Sequence, residues 1–446
     1  MRVLTREAAV KLLVKTLNGG YSNYIFESFI NKHPEISESD TRFLKALYFG
    51  ILRKMLLLDR LIGERCKSPY EKLPLMIKMI LRAGFYQLLF MESVPARAAV
   101  HESVELAKKY GHRGTVKLVN ALLRGADTDL KDLTGWITGA EGGSVDDIAD
   151  VTSHPVWLAE RYMKNFGREK GLEILKRNNE IPPQNFRVRN NEAFELAVTE
   201  NDMNVVKNRF NCLGVEITGG GSKPPLNLLR DGIIAPQDQS SLIAVSLMKG
   251  VKGRVLELCC GRGNKSEAML EFVDDKAVIV SGDSSASKLK DLGNLGKERI
   301  NPVCIDVTEK PPFSVKFDAI FLDAPCSNLG TVRRHPEIKY RRSPEQITRF
   351  AEFQLNALLA ASESLAPGGL LVYSVCSIEP EETTGVIKCF VEKRRNFAID
   401  DIGERRTDLE SGGLTDSKFL RILPGTHGMD GFFAAILRFS SNGNRC

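Results

Sequence analysis

Arg254-Val-Leu-Glu-Leu-Cys-Cys-Gly-Arg-Gly-Asn-Lys-Ser266 is the stretch on which the fold turns. Its first half is an apolar, strand-like run, and its second half is a glycine loop leading into helical sequence. Gly261 and Gly263 allow a tight turn and let a ligand approach the backbone closely. A dinucleotide fingerprint would carry a third glycine where Ser266 stands, which lowers the case for a nicotinamide cofactor. Asp283 nevertheless lies about 20 residues on, where a ribose-binding acid belongs.

Downstream, strand signals alternate with helices: Arg254 to Cys260, Ala277 to Asp283, Pro302 to Asp306, Phe317 to Pro325, Leu370 to Cys376, and a closing Asp430 to Phe439. That alternation predicts a doubly wound parallel sheet. In such sheets a ligand sits at the carboxyl ends of the first three strands, and chemistry faces the next two across the switch point. S-adenosylmethionine sites use this geometry without needing a pyrophosphate. Asp306 offers a further acceptor for an adenine amino group or a ribose hydroxyl, with a helix N-cap as the alternative for Asp283 and Asp306 alike. Cys326, in Asp323-Ala-Pro-Cys-Ser, ends the fourth strand, and Cys376, in Val372-Tyr-Ser-Val-Cys-Ser, ends the fifth. A lone cysteine reads as a small buried hydrophobe. Two in equivalent topological places favour nucleophilic chemistry, and neighbouring strands would bring both thiols to one substrate atom.

The chain has 446 residues, enough for two or three domains, and a formal net charge of +6, which permits a polyanionic partner without demanding one. Residues 1–130 read as all-α, with apolar positions at helical period through Phe43, Leu44, Leu47, Ile51, Leu52, Met55 and Leu58. Pro95 opens a helix that Gly111 closes. Residues 131–150, with Gly139, Gly142 and Gly143, read as a linker. Residues 151–230 read as a small α+β module, with helices around Trp157 to Phe166 and Lys170 to Asn178 and a strand from Asn185 to Val188. Residues 231–446 form the α/β domain. Nine cysteines without a Cys-x-x-Cys pair argue against a disulfide framework or a zinc knuckle and for a reducing cytoplasm. Arg2, Arg6, Lys11 and Lys15 interrupt the N-terminus, so a signal peptide is not expected, nor is a membrane span. No metal site is expected at His335 or elsewhere, and a monomer is expected.

At these residues the chain resembles the Sun-type family of S-adenosylmethionine-dependent RNA cytosine-5 methyltransferases. Asp323-Ala-Pro-Cys-Ser with Thr331-Val-Arg-Arg-His-Pro-Glu-Ile-Lys339 resembles the family's fourth motif. Pro367-Gly-Gly369 through Cys376-Ser377 and Pro380-Glu-Glu382 is similar to its sixth, and Leu423-Pro-Gly425 with Asp430-Gly-Phe-Phe433 to its closing motif. The N-terminal helices, especially Val94-Pro95 through Ala107-Lys108, resemble a NusB-type RNA-binding domain. The resemblance covers nearly the whole chain and implies a Rossmann-like methyltransferase domain acting on RNA. Small-subunit ribosomal RNA is the expected target, with transfer RNA, or a noncatalytic role in ribosome assembly, as alternatives. A dehydrogenase would explain neither cysteine.

The resemblance further implies that S-adenosylmethionine is held by Cys259, Cys260, Gly261, Arg262, Gly263, Asn264, Lys265, Asp283, Asp306, Asp323 and Pro325. Cys376 is expected to attack carbon 6 of the base, and Cys326 to assist loss of the carbon 5 proton and release. Asp323 would bond the base edge or protonate ring nitrogen 3. The basic run Arg333, Arg334, Lys339, Arg341 and Arg342 would hold RNA phosphates, with a solvated charged surface as the alternative. The family loop usually reads Cys-Ala-Ala-Pro-Gly-Gly-Lys-Thr, so Arg262 and Asn264 are departures. So are Asn328 and Leu329, where glycine and threonine are usual.

Overall fold

The helical period through Phe43 to Leu58 folds as two consecutive helices, Glu38–Arg53 and Met55–Gly63, in a computed structural model describing residues 2–67, 69–129, 133–200, 203–211, 213–218, 226–293 and 298–440. Leu44, Leu47, Ile51, Leu52 and Leu58 are all buried in one helical core. Ser37 caps the first of these helices by accepting from Asp40 N at 3.2 Å. Pro95 and Gly111 flank the helix Ala96–Tyr110, as expected from their asymmetry at helix ends.

The chain divides into two units. The first comprises Met1–Ile181 together with Val332–Arg341, and the second comprises Pro182–Thr331 and Arg342–Cys446. This differs from the expected boundaries in three places. The described part of the expected linker forms two helices, Leu133–Glu141 and Val145–Val151. Ser144 and Asp147 make a capping box, and Ile148, Ala149 and Val151 are buried. Composition averaged over the segment hid helices this short. The helices Val156–Phe166 and Arg168–Arg177, expected to belong to a middle module, belong to the first unit, burying Leu158, Tyr162, Ile174 and Leu175. Finally, Val332–Arg341, read as a basic surface of the α/β domain, is a strap of the first unit.

The second unit holds two sheets. The smaller is antiparallel, with β1 (Asn185–Val188), β2 (Asn204–Lys207), β3 (Gly214–Thr218) and β4 (Ile234–Pro236) in the order β2-β3-β1-β4. It buries Phe186, Val188, Phe194, Val215, Ile217, Leu228 and Ile234, so this module reaches past residue 230 to β4.

The larger sheet contains β5 (Arg254–Leu258), β6 (Val278–Asp283), β7 (Ile300–Cys304), β8 (Phe317–Asp323), β9 (Leu365–Val375), β10 (Phe397–Asp400), β11 (Thr415–Asp416), β12 (Phe419–Ile422) and β13 (Phe432–Phe439). The order is β11-β12-β13-β9-β8-β5-β6-β7, with β10 also paired to β13. β5 pairs in parallel with both β6 and β8, β6 with β7, and β8 with β9. The sheet is mixed rather than wholly parallel, because β13 runs antiparallel to β9 and brings β10, β11 and β12 with it. Strand order reverses at β5 and β8, which creates the crevice where open α/β sheets bind ligands.

Candidate active site

The loop after β5 bends through three left-handed residues: Cys259 at φ 62°, Gly261 at 61° and Gly263 at 86°. Two of the three are glycine, the residue that tolerates this region without cost. A Cβ on Gly263 would lie 2.1 Å from Leu292 Cδ1, whereas one on Gly261 would meet nothing within 4 Å. The face over Gly261 is therefore open. Asp283, at the end of β6, accepts from Gly261 N and from Ser285 N, each at 2.9 Å. Lys288 Nζ lies 3.6 Å from the same carboxylate.

The two departures in this loop have partners of their own. Arg262 is 69% exposed and pairs with Asp291, and Asn264 donates to Pro236 O at 3.0 Å. Asp306 is exposed and accepts from Thr308 N at 2.9 Å and Thr308 Oγ1 at 2.8 Å. The Thr308 backbone bond holds its carboxyl below the ordinary range. These contacts close a local turn, and no helix follows Asp306 for it to cap.

Lys265 and Asp323 form a close pair, Nζ to Oδ2 2.6 Å, and Ser374 donates to the other Asp323 oxygen at 2.9 Å. Burial alone would lower the Lys265 ammonium, but Asp323 outweighs it and holds the lysine above its usual value. Beneath the loop, Glu257 is fully buried and accepts from Ser266 Oγ and from Ser281 Oγ, the latter at 2.8 Å. Burial pushes its carboxyl up to about 7 against the weaker opposing effect of those two hydrogen bonds. Burial likewise pushes the Cys259 and Cys260 thiols up, so both stay protonated near neutrality.

Because β8 and β9 are adjacent, the loops that follow them meet. Cys326 Sγ and Cys376 Sγ are 3.3 Å apart, and both lie within reach of Asn328 Oδ1, at 3.2 and 3.5 Å. Asn328 holds a left-handed φ of 62°, a conformation asparagine tolerates better than most residues. Cys326 is buried and Cys376 half-buried. The hydrogen bond to Cys376, and then burial, raise the Cys326 thiol well above its usual value. Pro325 O accepts from Gln354 Nε2 at 2.9 Å, which ties the Cys326 loop to the helix Pro344–Ser362.

The basic run requires correction. Lys339 is 0% exposed, donating to Arg53 O at 2.8 Å and Asn179 Oδ1 at 2.9 Å, and Arg333 is 3% exposed. Arg341 donates to the carbonyls of Thr16, Gly19 and Gly20. The bonds of Lys339 and Arg341 pin the strap inside the first unit, and burial leaves Arg333 and Lys339 no face for a phosphate. Arg334 is half-buried in the same strap, where burial also lowers the pKa of His335. Arg342 is in the second unit and donates to Ser327 O at 2.7 Å, from the loop that carries Cys326. Burial removes Arg333 and Lys339 from the surface, while Arg334, Arg341 and Arg342 stay half-buried, a division that a charge run cannot reveal locally.

Sequence reasoning placed Glu382 in the sixth motif but gave it no role. Its carboxylate accepts from Ser327 N at 2.8 Å, Gln354 Nε2 at 3.0 Å, Ser377 Oγ at 2.6 Å and Ser327 Oγ. The signal available was the repeated Cys-Ser pair, Cys326-Ser327 and Cys376-Ser377, which requires a common partner only once the loops meet.

A family model described as 16S rRNA methyltransferase RsmB/F matches residues 244–438, and one described as the NusB family matches residues 4–128. The chain is 30% identical to a probable ribosomal RNA small subunit methyltransferase B of Bacillus subtilis, covering 97% of this chain and 98% of that protein. It is also 30% identical to the ribosomal RNA small subunit methyltransferase B of Pseudomonas putida, with the same coverage of each. The crystal structure of PH0851 shares the fold at TM-score 0.79 and 21% identity, over 97% of this chain and 98% of that one. NSun6 from Pyrococcus horikoshii, solved with SFG, aligns at TM-score 0.55 and 19% identity over 65% of this chain and 99% of its own. With identity at this level along almost its whole length, the chain belongs to the ribosomal RNA small subunit methyltransferase B family.

Proposed function

We propose that this protein methylates carbon 5 of a cytosine in small-subunit ribosomal RNA, using S-adenosylmethionine, with Cys376 as nucleophile and Cys326 as the release residue. One observation carries the reading: two sulfurs 3.3 Å apart at the carboxyl ends of adjacent parallel strands, beside the crevice. The loop suits an adenosyl group because Gly261 leaves open space where a side chain would stand, with Asp283 beside it. When bound, the cofactor supplies an electrophilic methyl on its sulfonium.

Carbon 5 of cytosine is a weak nucleophile. Addition of the Cys376 thiolate to carbon 6 pushes an electron pair toward carbon 5, which then takes the methyl. A water molecule then takes the carbon 5 proton, the electrons of that carbon–hydrogen bond re-form the carbon 5–carbon 6 double bond, and the carbon 6–sulfur bond breaks to expel the Cys376 thiolate. Cys326 keeps its proton near neutrality and lies in contact with the departing thiolate, so it can stabilise that sulfur by hydrogen bonding as it leaves. The Lys265–Asp323 pair supplies a cation and an acceptor for the polar edge of the base, where charge develops on attack. A base must leave its stack to enter such a site, so unpaired or accessible segments of the RNA are the expected targets. Among the described residues no helix is long and apolar enough to cross a membrane.

Cys376→Ala should abolish methyl transfer to unmodified small-subunit RNA, and wild-type turnover by that variant would exclude it as the nucleophile. Cys326→Ala should accumulate a covalent protein–RNA adduct on denaturing gels, and free turnover would remove the release role. Bisulfite sequencing of RNA from cells lacking the protein should show one lost 5-methylcytosine in small-subunit RNA. An unchanged pattern there would refute the proposed target.

A further inference from the structure

Each of the two cysteines is followed by a serine, and both serines end on one carboxylate. Ser327 donates to Glu382 Oε1 through its backbone N at 2.8 Å and to Oε2 through its hydroxyl, and Ser377 Oγ donates to Oε2 as well, at 2.6 Å. The two hydroxyls are 3.2 Å apart. Glu382, Ser327, Ser377 and Gln354 are all fully buried. The carboxylate has little freedom to move. It stands on a single π-helical turn, Glu381–Gly385, a local irregularity often found at functional sites. Its carbonyl accepts from Tyr373 OH at 2.7 Å, and Gln354 Nε2 donates to its side chain at 3.0 Å while also reaching Pro325 O.

Four donors converging on one buried carboxylate make a network that is stable only when complete. A staple whose only purpose was stability could join these loops at any point. This one joins them at the residues immediately after the two sulfurs, so any displacement of either serine carries its neighbouring thiol with it. We propose that Glu382 is a positioning residue that grips Ser327 and Ser377 and thereby fixes the separation of the Cys326 and Cys376 sulfurs, without touching base or cofactor. Its catalytic consequence rests on the two-cysteine reading above. The geometric claim does not.

The test uses the full chain and the thiol oxidant diamide. The Cys376 sulfur adds to the azo bond of diamide, and the Cys326 sulfur then displaces the resulting hydrazine. Two S–H bonds become one S–S bond while N=N is reduced and takes up both hydrogens. Mass spectrometry of the linked peptides follows Cys326–Cys376 specifically. The wild type should close this disulfide rapidly. Glu382→Ala should close it at least about tenfold more slowly, and Glu382→Gln, which keeps the length and one acceptor oxygen, should recover part of the rate. Ser377→Ala, a milder loss of one grip, carries the same test should Glu382→Ala not fold, with amide exchange across the larger sheet as the fold control. In methyl transfer, Glu382→Ala should lower kcat on the order of 10²-fold while KM for S-adenosylmethionine is unchanged. Closure at the wild-type rate in both Glu382→Ala and Ser377→Ala would overturn the proposal, as would a wild type that never forms the disulfide. A wild type that closes the disulfide, slows when Glu382 is removed, and yet transfers no methyl would support the clamp and refute the enzymatic reading.

Discussion

Glu257 should make the second unit lose stability as pH rises through neutrality. The residue sits on β5 directly beneath the glycine loop, fully buried, and its carboxyl is pushed from 4.5 up to about 7, chiefly by burial. In the unfolded chain the group releases its proton near 4.5. Between that pH and about 7 the folded state therefore binds more protons than the unfolded one, and stability falls as pH rises. Below the window the group is neutral in both states and carries no penalty. Above it the charged carboxylate is buried in full. At roughly 1.4 kcal/mol per pKa unit, the difference amounts to about 3 kcal/mol, a large share of a typical folding free energy. Glu257→Gln keeps an acceptor for Ser266 and Ser281 and removes the titration. The two tryptophans, Trp136 and Trp157, lie in the first unit, so fluorescence is the wrong probe for this unit. Amide exchange of β5 and β8 peptides between pH 5 and 8, corrected for intrinsic exchange, reads the opening free energy where it matters. The wild type should lose roughly 2 to 3 kcal/mol more protection across that range than Glu257→Gln, since part of the effect is already lost at pH 5. Parallel profiles for the two proteins would refute the assignment of a raised carboxyl to Glu257.

Gly263→Ala should weaken S-adenosylmethionine binding measured by calorimetry, because φ is 86° and the new Cβ would lie 2.1 Å from Leu292 Cδ1. The backbone strain alone is about 1–2 kcal/mol, and wild-type affinity would show that the loop tolerates a side chain there. Arg262→Ala should change that affinity by less than about fivefold, since an exposed ion pair with Asp291 contributes at most about 1 kcal/mol. A complete loss of binding would give Arg262 a direct role in the cofactor site. Burial holds Lys339 below the usual lysine range, so the unfolded chain binds more protons up to about pH 10.4. Stability of the first unit, followed by tryptophan fluorescence in urea, should therefore rise with pH toward that limit. The rise should be flatter in Lys339→Met, and equal slopes would refute a lowered lysine at this position.

What the local sequence could reveal followed from local physics. The apolar run Val255 to Leu258 with two glycines after it specifies a strand and a tight turn wherever the chain goes, and the placement of both cysteines after apolar runs is visible on inspection. Adjacency of β8 and β9 then follows from the rules of α/β connection rather than from any single residue. The strap was not legible in this way. Lys339 and Arg341 look like solvated charge because nothing nearby in sequence pairs with them, and their acceptors include the carbonyls of Arg53, Thr16 and Gly20, about three hundred residues away. Glu382 was hidden for the same reason. In Pro380-Glu-Glu382 an acid after proline reads as an ordinary first-turn residue, and only the fold brings it to Ser327, fifty-five residues upstream. The antiparallel edge strands lie between these cases. β13 was visible as a strand, but its direction depends on a chain reversal that apolar patterning does not encode.

The arrangement of the thiols bears on why two cysteines are present rather than one. A nucleophile that must also leave needs a proton donor close to it, and that donor must not itself compete for the base. Cys326 meets both conditions if it is the buried member. Its thiol is held well above the usual value by the bond to Cys376 and by burial, so near neutrality it is a donor and a poor nucleophile. Cys376, half-buried, is the sulfur that a base entering the crevice can reach. Asn328 Oδ1 can accept from either thiol, so when Cys376 gives up its proton the Cys326 proton can turn from the amide toward the new thiolate. A glycine at 328 would preserve the left-handed backbone but supply no acceptor for this exchange. Asn328 serves this exchange whichever thiol attacks, so the proposed assignment of attack to Cys376 rests on its greater exposure. With the roles reversed, the attacking thiol would be the buried, proton-retaining one.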